Sequence, residues 1–206
     1  MQKKSEIIGF CLGWFAIITQ FILIIQNRET NITETIIRFF SFFTILTNML
    51  VTIYFTSKVL DFSMKSLELF SKKTTLTALT SFIIIVGVVY QFMLRHVWEP
   101  TGMQRLIDEL LHSIIPLYML VYWFIYDTKE KIKFRDAIMW LLYPLFYLTF
   151  ILVRGHFYNY YPYPFLNIPE IGTDMALINS TLILILMVCV ISILLVVKNI
   201  RAKIRG

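Results

Sequence analysis

The sequence has little charge and little of what loops and linkers need. Of its 206 residues only 16% are charged, while 58% are hydrophobic; a soluble domain has about 25% charged residues. There are 7 glycines and 6 prolines, and we find no internal repeat, low-complexity tract or Gly/Ser-rich linker. These absences argue against a soluble domain and against several domains.

Cysteine and histidine are also scarce. The two cysteines, Cys11 and Cys189, lie in long apolar runs, so we expect two small apolar residues and no disulfide. No pair of the three histidines has the His-x-x-x-His spacing of a zinc hydrolase, so we expect no metal and no cofactor. A zinc site remains a minor alternative. It would use His96, His112, His156, Glu99, Asp108 and Glu109.

What the chain does have is long uncharged runs. The hydrocarbon layer is about 30 Å thick and needs roughly 20 residues of helix. The sequence therefore predicts an all-α polytopic membrane protein, a single domain over 1–206 built as a bundle of six transmembrane helices. The predicted spans are 7–25, 37–57, 74–94, 108–126, 136–153 and 174–197. Between the second and third, residues 57–73 form either a short amphipathic surface helix or a solvated connector.

The distribution of Lys and Arg predicts the orientation. With the N-terminus in the cytoplasm, 14 of the 19 basic residues fall in cytoplasmic segments and 5 outside. This is the arrangement that the positive-inside rule favours. We therefore expect a multi-pass protein of the cell membrane with both termini in the cytoplasm. The net charge of +6 reflects this topology and anionic lipid headgroups, and no nucleic-acid partner is expected.

Polar residues cluster in the predicted outward half of every helix. Polar side chains in a membrane helix usually face the bundle interior, so a shared depth predicts a polar cavity open toward the outer leaflet. The alternative is interhelical hydrogen bonding, each bond contributing about 1–2 kcal/mol. The residues are Thr19, Gln20, Thr44, Thr47, Asn48, Tyr90, Gln91, Asp108, His112, Tyr147, Thr149, Asn179, Ser180 and Thr181.

Two groups within this set have a chemically useful spacing. Thr44, Thr47 and Asn48 stand at i, i+3 and i+4, hence on one helix face. Asp108 and His112 stand at i and i+4, so the carboxylate can orient the imidazole. A histidine with an orienting acid is a candidate general base, and a nearby hydroxyl a candidate nucleophile. Alternatively the threonines only bond to their own helix, Asn48 only pairs helices, and His112 only bonds a neighbour.

These stretches resemble a known family. Phe43-Thr44-Ile45-Leu46-Thr47-Asn48, Asp108 to His112 with Pro116, Arg135-Asp136-Ala137 to Tyr143-Pro144, and Tyr161 to Leu166 look like the bacterial Pr6Pr family of six-helix membrane proteins. More distantly, the pattern is similar to the androgen-induced (FAR-17a-like) membrane hydrolases of fatty acid esters of hydroxy fatty acids. The resemblance implies Thr44 as nucleophile and His112 as base, with Thr47 as a rival because the motif permits either alignment.

The leading hypothesis is therefore an intramembrane lipid acyl-ester hydrolase. Asp108 would orient His112, and Asn48 or Gln91 would donate to the oxyanion. Arg154, beside a Tyr- and Pro-rich loop that we expect to form an outer lid or an interfacial anchor, would hold a lipid carboxylate or phosphate. The remaining substrate-binding candidates are Thr47, Gln91 and Tyr147. The alternative is a non-catalytic membrane protein that binds, transports or senses a lipid or small molecule.

Overall fold

The computed structural model describes residues 1–60, 74–127 and 131–205, and all the regular elements in these ranges are helices. Short 3-10 turns occur within α6 at Met139–Leu141 and before α7 at Pro164–Leu166. The all-α class is confirmed. The helices are α1 (Gln2–Gln26), α2 (Ile32–Ser41), α3 (Phe43–Val59), α4 (Thr75–Leu94), α5 (Gly102–Tyr126), α6 (Phe134–Tyr158), α7 (Ile168–Ile171) and α8 (Thr173–Arg205).

Five of these helices, α1, α4, α5, α6 and α8, are long and apolar enough to cross a membrane, and α2 with α3 makes a sixth if the pair counts as one span. The predicted spans 7–25, 108–126, 136–153 and 174–197 lie inside longer helices. Helices extend past an apolar run because charged side chains at their ends reach water. The predicted surface helix at 57–73 falls almost entirely outside the described residues.

The span predicted at 37–57 is a single helix only in part. The helix is interrupted at Phe42, which has extended backbone angles (φ −82°, ψ 124°). As a result, α2 and α3 meet at a bend of 73°. Asn31 caps the start of α2 by accepting a hydrogen bond from the Glu34 amide. The break leaves the first N–H groups of α3 without helical partners, and the Thr44 amide donates to the Tyr163 hydroxyl at 3.3 Å.

Close helix contacts depend on glycine. A Cβ on Gly9 would lie 2.6 Å from the ring of Phe55, and one on Gly13 would collide with Thr52. The two glycines stand one turn apart on α1, so their lack of side chains lets α3 approach closely. Among the apolar helices α4 is the most enclosed, with 67% of its most apolar stretch buried, and it forms the centre of the bundle.

Both termini lie at the same end of the bundle. Near the N-terminus the Ser5 hydroxyl lies 3.3 Å from that of Tyr126, the last residue of α5. Near the end of α8 Lys198 pairs with Asp127, which directly follows α5. We call this end the terminal end and the opposite end the cavity end.

The terminal end also contains buried charge, on residues beyond the predicted spans. Glu6 is only 6% exposed, and its carboxylate accepts hydrogen bonds from Gln2 and Tyr122, each at 3.1 Å. Lys198 and Asp127 form a buried ion pair. These residues lie outside the uncharged runs, but the helices are longer than those runs and bring them into the bundle.

Candidate functional site

The site is built where α4 and α5 touch at the cavity end. Gly87 makes this contact possible, because a Cβ there would lie 3.2 Å from the carbonyl oxygen of His112 and 3.3 Å from Pro116. Pro116 has no backbone N–H and so cannot donate the usual helical hydrogen bond to the His112 carbonyl oxygen. The chain forms a π turn just before it, at Leu110–Ile114. A second π turn, Tyr90–Leu94, faces it from α4. Such turns are frequent at functional sites.

The two π turns bring an imidazole against a phenol ring. The rings of Tyr90 and His112 are stacked, with centroids 4.2 Å apart and an interplanar angle of 11°. The Tyr90 hydroxyl donates a hydrogen bond to Oδ2 of Asp108. Tyr90 therefore supports both the imidazole, through its ring, and the carboxylate, through its hydroxyl.

Hydrogen bonding fixes the tautomer of His112. Its Nδ1 lies 2.9 Å from the backbone carbonyl oxygen of Asp108 and 3.2 Å from Oδ1 of the same residue. A carbonyl oxygen can only accept, so Nδ1 carries a hydrogen, and in the neutral imidazole Nε2 is then the acceptor. Oγ1 of Thr44 lies 3.2 Å from Nε2 and donates to it. This is the arrangement required of a hydroxyl nucleophile and its general base.

The structure brings Thr44, and not its rival, to the histidine. Thr44 is the second residue of α3 and is 6% exposed, and its Oγ1 also lies 3.4 Å from the Tyr163 hydroxyl. Thr47 is fully buried, and its hydroxyl pairs with Tyr143 at 3.0 Å. The bend at Phe42 exposes only the first turn of α3 to the cavity.

The two expected oxyanion donors are occupied elsewhere. Nδ2 of Asn48 donates to the carbonyl groups of Thr44 at 2.9 Å and Leu111 at 3.2 Å, so this side chain ties α3 to α5. Nε2 of Gln91 donates to Ser113 at 2.9 Å. Both amides therefore serve helix contacts in this structure.

Tyr163 is a residue that sequence reasoning placed only in the lid. Its ring stacks on Phe165 with centroids 5.1 Å apart, and its hydroxyl accepts from the Thr44 amide. Burial raises the pKa of this phenol, so it stays protonated at neutral pH. The density of Tyr and Pro in the loop was the available signal, but it does not say which tyrosine turns inward.

Thr44 and His112 line a cavity of about 320 Å³, which we call the His112 cavity. A narrower apolar cavity of about 70 Å³ lies among α4, α6 and α8, and Thr44, Leu94 and Tyr163 line both. Tyr147 lines the apolar cavity while its hydroxyl donates to the Ser41 carbonyl oxygen at 2.9 Å. The polar lining of the His112 cavity consists of Gln20, Thr44, Tyr90, Gln104, Asp108, His112 and Tyr163.

Arg154 lies apart from this arrangement. It lines neither of the two cavities, and its Nη2 donates to Oε1 of Glu34 at 2.7 Å. Within the described ranges no group of three His, Cys, Asp or Glu residues could hold a metal ion, so the structure does not assemble the alternative zinc site.

Comparison with known proteins adds no family. No family model matches the chain, and neither the curated proteins nor the solved structures include a match to it. An activity can therefore be assigned only from the geometry of the site.

Proposed function

We propose that this protein is an intramembrane hydrolase of lipid acyl esters, with Thr44 as nucleophile and His112 as general base. The observation that carries the proposal is the 3.2 Å contact from Oγ1 of Thr44 to Nε2 of His112, inside a cavity, with Nδ1 held by Asp108. A threonine hydroxyl bonded only to its own helix would not account for this contact.

The reaction has two halves. Thr44 Oγ1 attacks the ester carbonyl carbon while Nε2 of His112 takes its proton; the tetrahedral intermediate then expels the alcohol oxygen, which receives that proton. The product is an acyl ester of Thr44. Water attacks this ester with His112 again taking a proton, the carboxylic acid leaves, and Thr44 recovers its hydrogen.

Tyr163 is the proposed oxyanion donor. Its hydroxyl lies 3.4 Å from the attacking oxygen and already accepts a hydrogen bond from the Thr44 amide. Since Thr44 donates its hydrogen to His112, the Tyr163 hydroxyl donates to Oγ1 of Thr44 before the reaction and would turn to the negative oxygen that forms on the carbon attached to it. Donors placed where charge develops are usually the largest single contribution to such catalysis.

The two cavities suggest how an ester is held. Because Thr44 and Tyr163 line both, the ester bond would lie at their junction. The apolar cavity, walled by Ile183, Leu184 and Met187, suits the first carbons of the acyl chain. The larger His112 cavity suits the alcohol portion, and Gln20 and Gln104, joined at 2.9 Å, offer it polar contacts.

The proposal includes a topology and a family. We propose six membrane spans, with α2 and α3 counted as one, in the cell membrane with both termini in the cytoplasm, and membership of the Pr6Pr family. Shared placement of the termini at one end of the bundle is consistent with an even number of spans. A cysteine introduced at Asn159 should react with an impermeant thiol reagent in intact cells. Reaction only after lysis would contradict this orientation.

The decisive experiment is covalent labelling with a lipophilic fluorophosphonate in detergent. An activated hydroxyl attacks phosphorus, whereas an ordinary threonine does not, so wild type should be labelled on Thr44. Thr44→Ala should abolish labelling and hydrolysis of a long-chain ester. Thr47→Ala is the matched control, because it removes a hydroxyl one turn away that does not contact His112, and it should retain both.

Two results would remove the mechanism. One is the absence of labelling in folded wild-type protein; the other is unchanged ester turnover in Thr44→Ala. Either leaves the His112 cavity as a binding site without chemistry.

A further inference from the structure

A third cavity, of about 340 Å³, lies between α2 and α6 at the cavity end. We call it the Arg154 cavity. It shares no lining residue with the His112 cavity or the apolar cavity, so it is not an extension of the proposed catalytic site. Its lining residues are Glu34, Ile37, Phe150, Val153, Arg154, Phe157 and Tyr158.

The charged groups in and beside this cavity do not balance, because Arg38, which lies next to the cavity, contacts the same carboxylate as Arg154 in its wall. One carboxylate oxygen of Glu34 accepts from Nε of Arg38 at 2.8 Å and from Nη2 of Arg154 at 2.7 Å. Two guanidinium groups thus share one carboxylate, which leaves one excess positive charge. Arg38 is partly exposed, but the side chain of Arg154 is only 7% exposed. A positive charge held away from water is costly unless an anion accompanies it.

Arg154 also has unused hydrogen-bonding capacity. Its Nη1 is buried and has no hydrogen-bond partner among the described residues. The ring of Tyr160 supports both guanidinium groups, with Arg38 4.2 Å and Arg154 4.9 Å from its centroid. These contacts hold the arginine in place while Glu34 takes only one of its two terminal nitrogens. Guanidinium recognises carboxylate and phosphate through two adjacent nitrogens.

The remaining wall of the cavity is apolar and faces outward. Phe150, Val153 and Phe157 stand at i, i+3 and i+7 on α6 and are each more than half exposed; Ile37 of α2 and the ring of Tyr158 complete the wall. A soluble anion would gain no binding energy from these apolar side chains. An oxyanion attached to a hydrocarbon chain would satisfy the guanidinium and cover the apolar residues together.

We propose that the Arg154 cavity binds the anionic headgroup of a membrane lipid, phosphate or carboxylate, as a site separate from the Thr44–His112 centre. The headgroup lies against Arg154, and the first part of the chain lies along Phe150, Val153 and Phe157. The lipid tethers α2 to α6 at the cavity end.

The test is thermal unfolding of the purified full-length protein in neutral detergent. Palmitoyl-oleoyl phosphatidylglycerol should raise the unfolding midpoint by roughly 5 °C at about 100-fold its Kd, and oleate tests the carboxylate in the same way. Phosphatidylcholine should raise the midpoint far less. Inorganic phosphate at the same concentration should have no effect, since it lacks a chain.

Two variants locate the binding. Arg154→Gln should lose the response to phosphatidylglycerol. Because that variant also removes one of the two guanidinium partners of Glu34 and is at risk of misfolding, Val153→Trp is the second variant. It fills the cavity from an exposed position and leaves the ion pairs intact, and it should lose the response while keeping the unliganded midpoint. Arg28→Gln is the matched control, because Arg28 is exposed and its one side-chain hydrogen bond within the described ranges goes to the Ile25 carbonyl oxygen.

Three outcomes would overturn the proposal. They are an equal shift with inorganic phosphate, an equal shift with phosphatidylcholine, and an undiminished response to phosphatidylglycerol in folded Val153→Trp.

Discussion

Each end of the bundle contains a buried acid that accepts a hydrogen bond from tyrosine. At the terminal end Tyr122 donates to Glu6, and at the cavity end Tyr90 donates to Asp108. The acids are equally enclosed, since each is 6% exposed. A buried acid with a phenol donor is therefore a way of stabilising a charge among apolar helices, and by itself it indicates no chemistry.

The two acids differ in the other groups that they contact. Asp108 also holds Nδ1 of His112, whose other nitrogen meets Thr44, and all three line a cavity. The second donor to Glu6 is Gln2, and Glu6 lines none of the three cavities described. Of these two sites, the one at the cavity end combines an imidazole, a hydroxyl and a cavity.

The largest effect should come from removing the base. His112→Ala should lower kcat/KM for a long-chain ester by at least about 10³-fold, because the hydroxyl then has no proton acceptor. Glu6→Gln keeps a hydrogen-bond acceptor at the terminal end and should leave turnover within about twofold of wild type. Equal losses in the two variants would erase the distinction between the ends.

A second large effect should follow from Tyr163→Phe. Removing one oxyanion donor typically costs about 10²–10³ in kcat, and KM should change little because the apolar ring remains to line both cavities. Steady-state kinetics separates these parameters. A rise in KM at unchanged kcat would make Tyr163 a substrate-binding residue and refute the role as donor.

The sequence predicts the apolar spans well because hydrophobic length is a local property. The bend at Phe42 could not be predicted, since its stabilising contact, from the Thr44 amide to Tyr163, joins residues 119 positions apart. The motif leaves Thr44 and Thr47 equivalent, but the bend places only the first turn of α3, with Thr44, beside the cavity.

Some contacts of the site residues could likewise be predicted from the sequence, and others could not. The i, i+4 spacing was enough to expect a contact between Asp108 and His112, because helix periodicity alone brings such residues together. The hydrogen-bond partners of Asn48 could not be predicted from the sequence. Its amide could donate to a ligand in the cavity or to a neighbouring helix, and the position of the Leu111 carbonyl decides which. Tyr90 was expected among the polar residues, but its stacking on His112 depends on the approach of α4 and α5 at Gly87.

An intermediate effect is expected at that approach. In Gly87→Ala the new Cβ meets backbone and ring atoms at 3.2–3.3 Å, so α4 must shift by a few tenths of an ångström and the stack loosens. Turnover should fall about tenfold, as small misplacements of catalytic groups lower rates. Gly9→Ala at the terminal end is the comparison. Its Cβ meets the Phe55 ring at 2.6 Å, so it should lower the unfolding midpoint and leave the kcat of the folded fraction unchanged.

The smallest effect should distinguish the two phenols. Tyr90→Phe keeps the ring that stacks on His112 and removes only the hydrogen bond to Asp108; the Asp108 carbonyl still holds Nδ1 at 2.9 Å, so kcat should drop only about three- to tenfold. Tyr122→Phe takes one of two side-chain donors from Glu6 and should lower stability by about 1–3 kcal/mol without changing kcat. Chemical unfolding and steady-state kinetics give the unfolding free energy and the kcat of each of the two variants. If Tyr122→Phe slowed turnover as much as Tyr90→Phe, the two tyrosine–acid pairs would have to act together across the bundle, and the division between a structural end and a chemical end would fail.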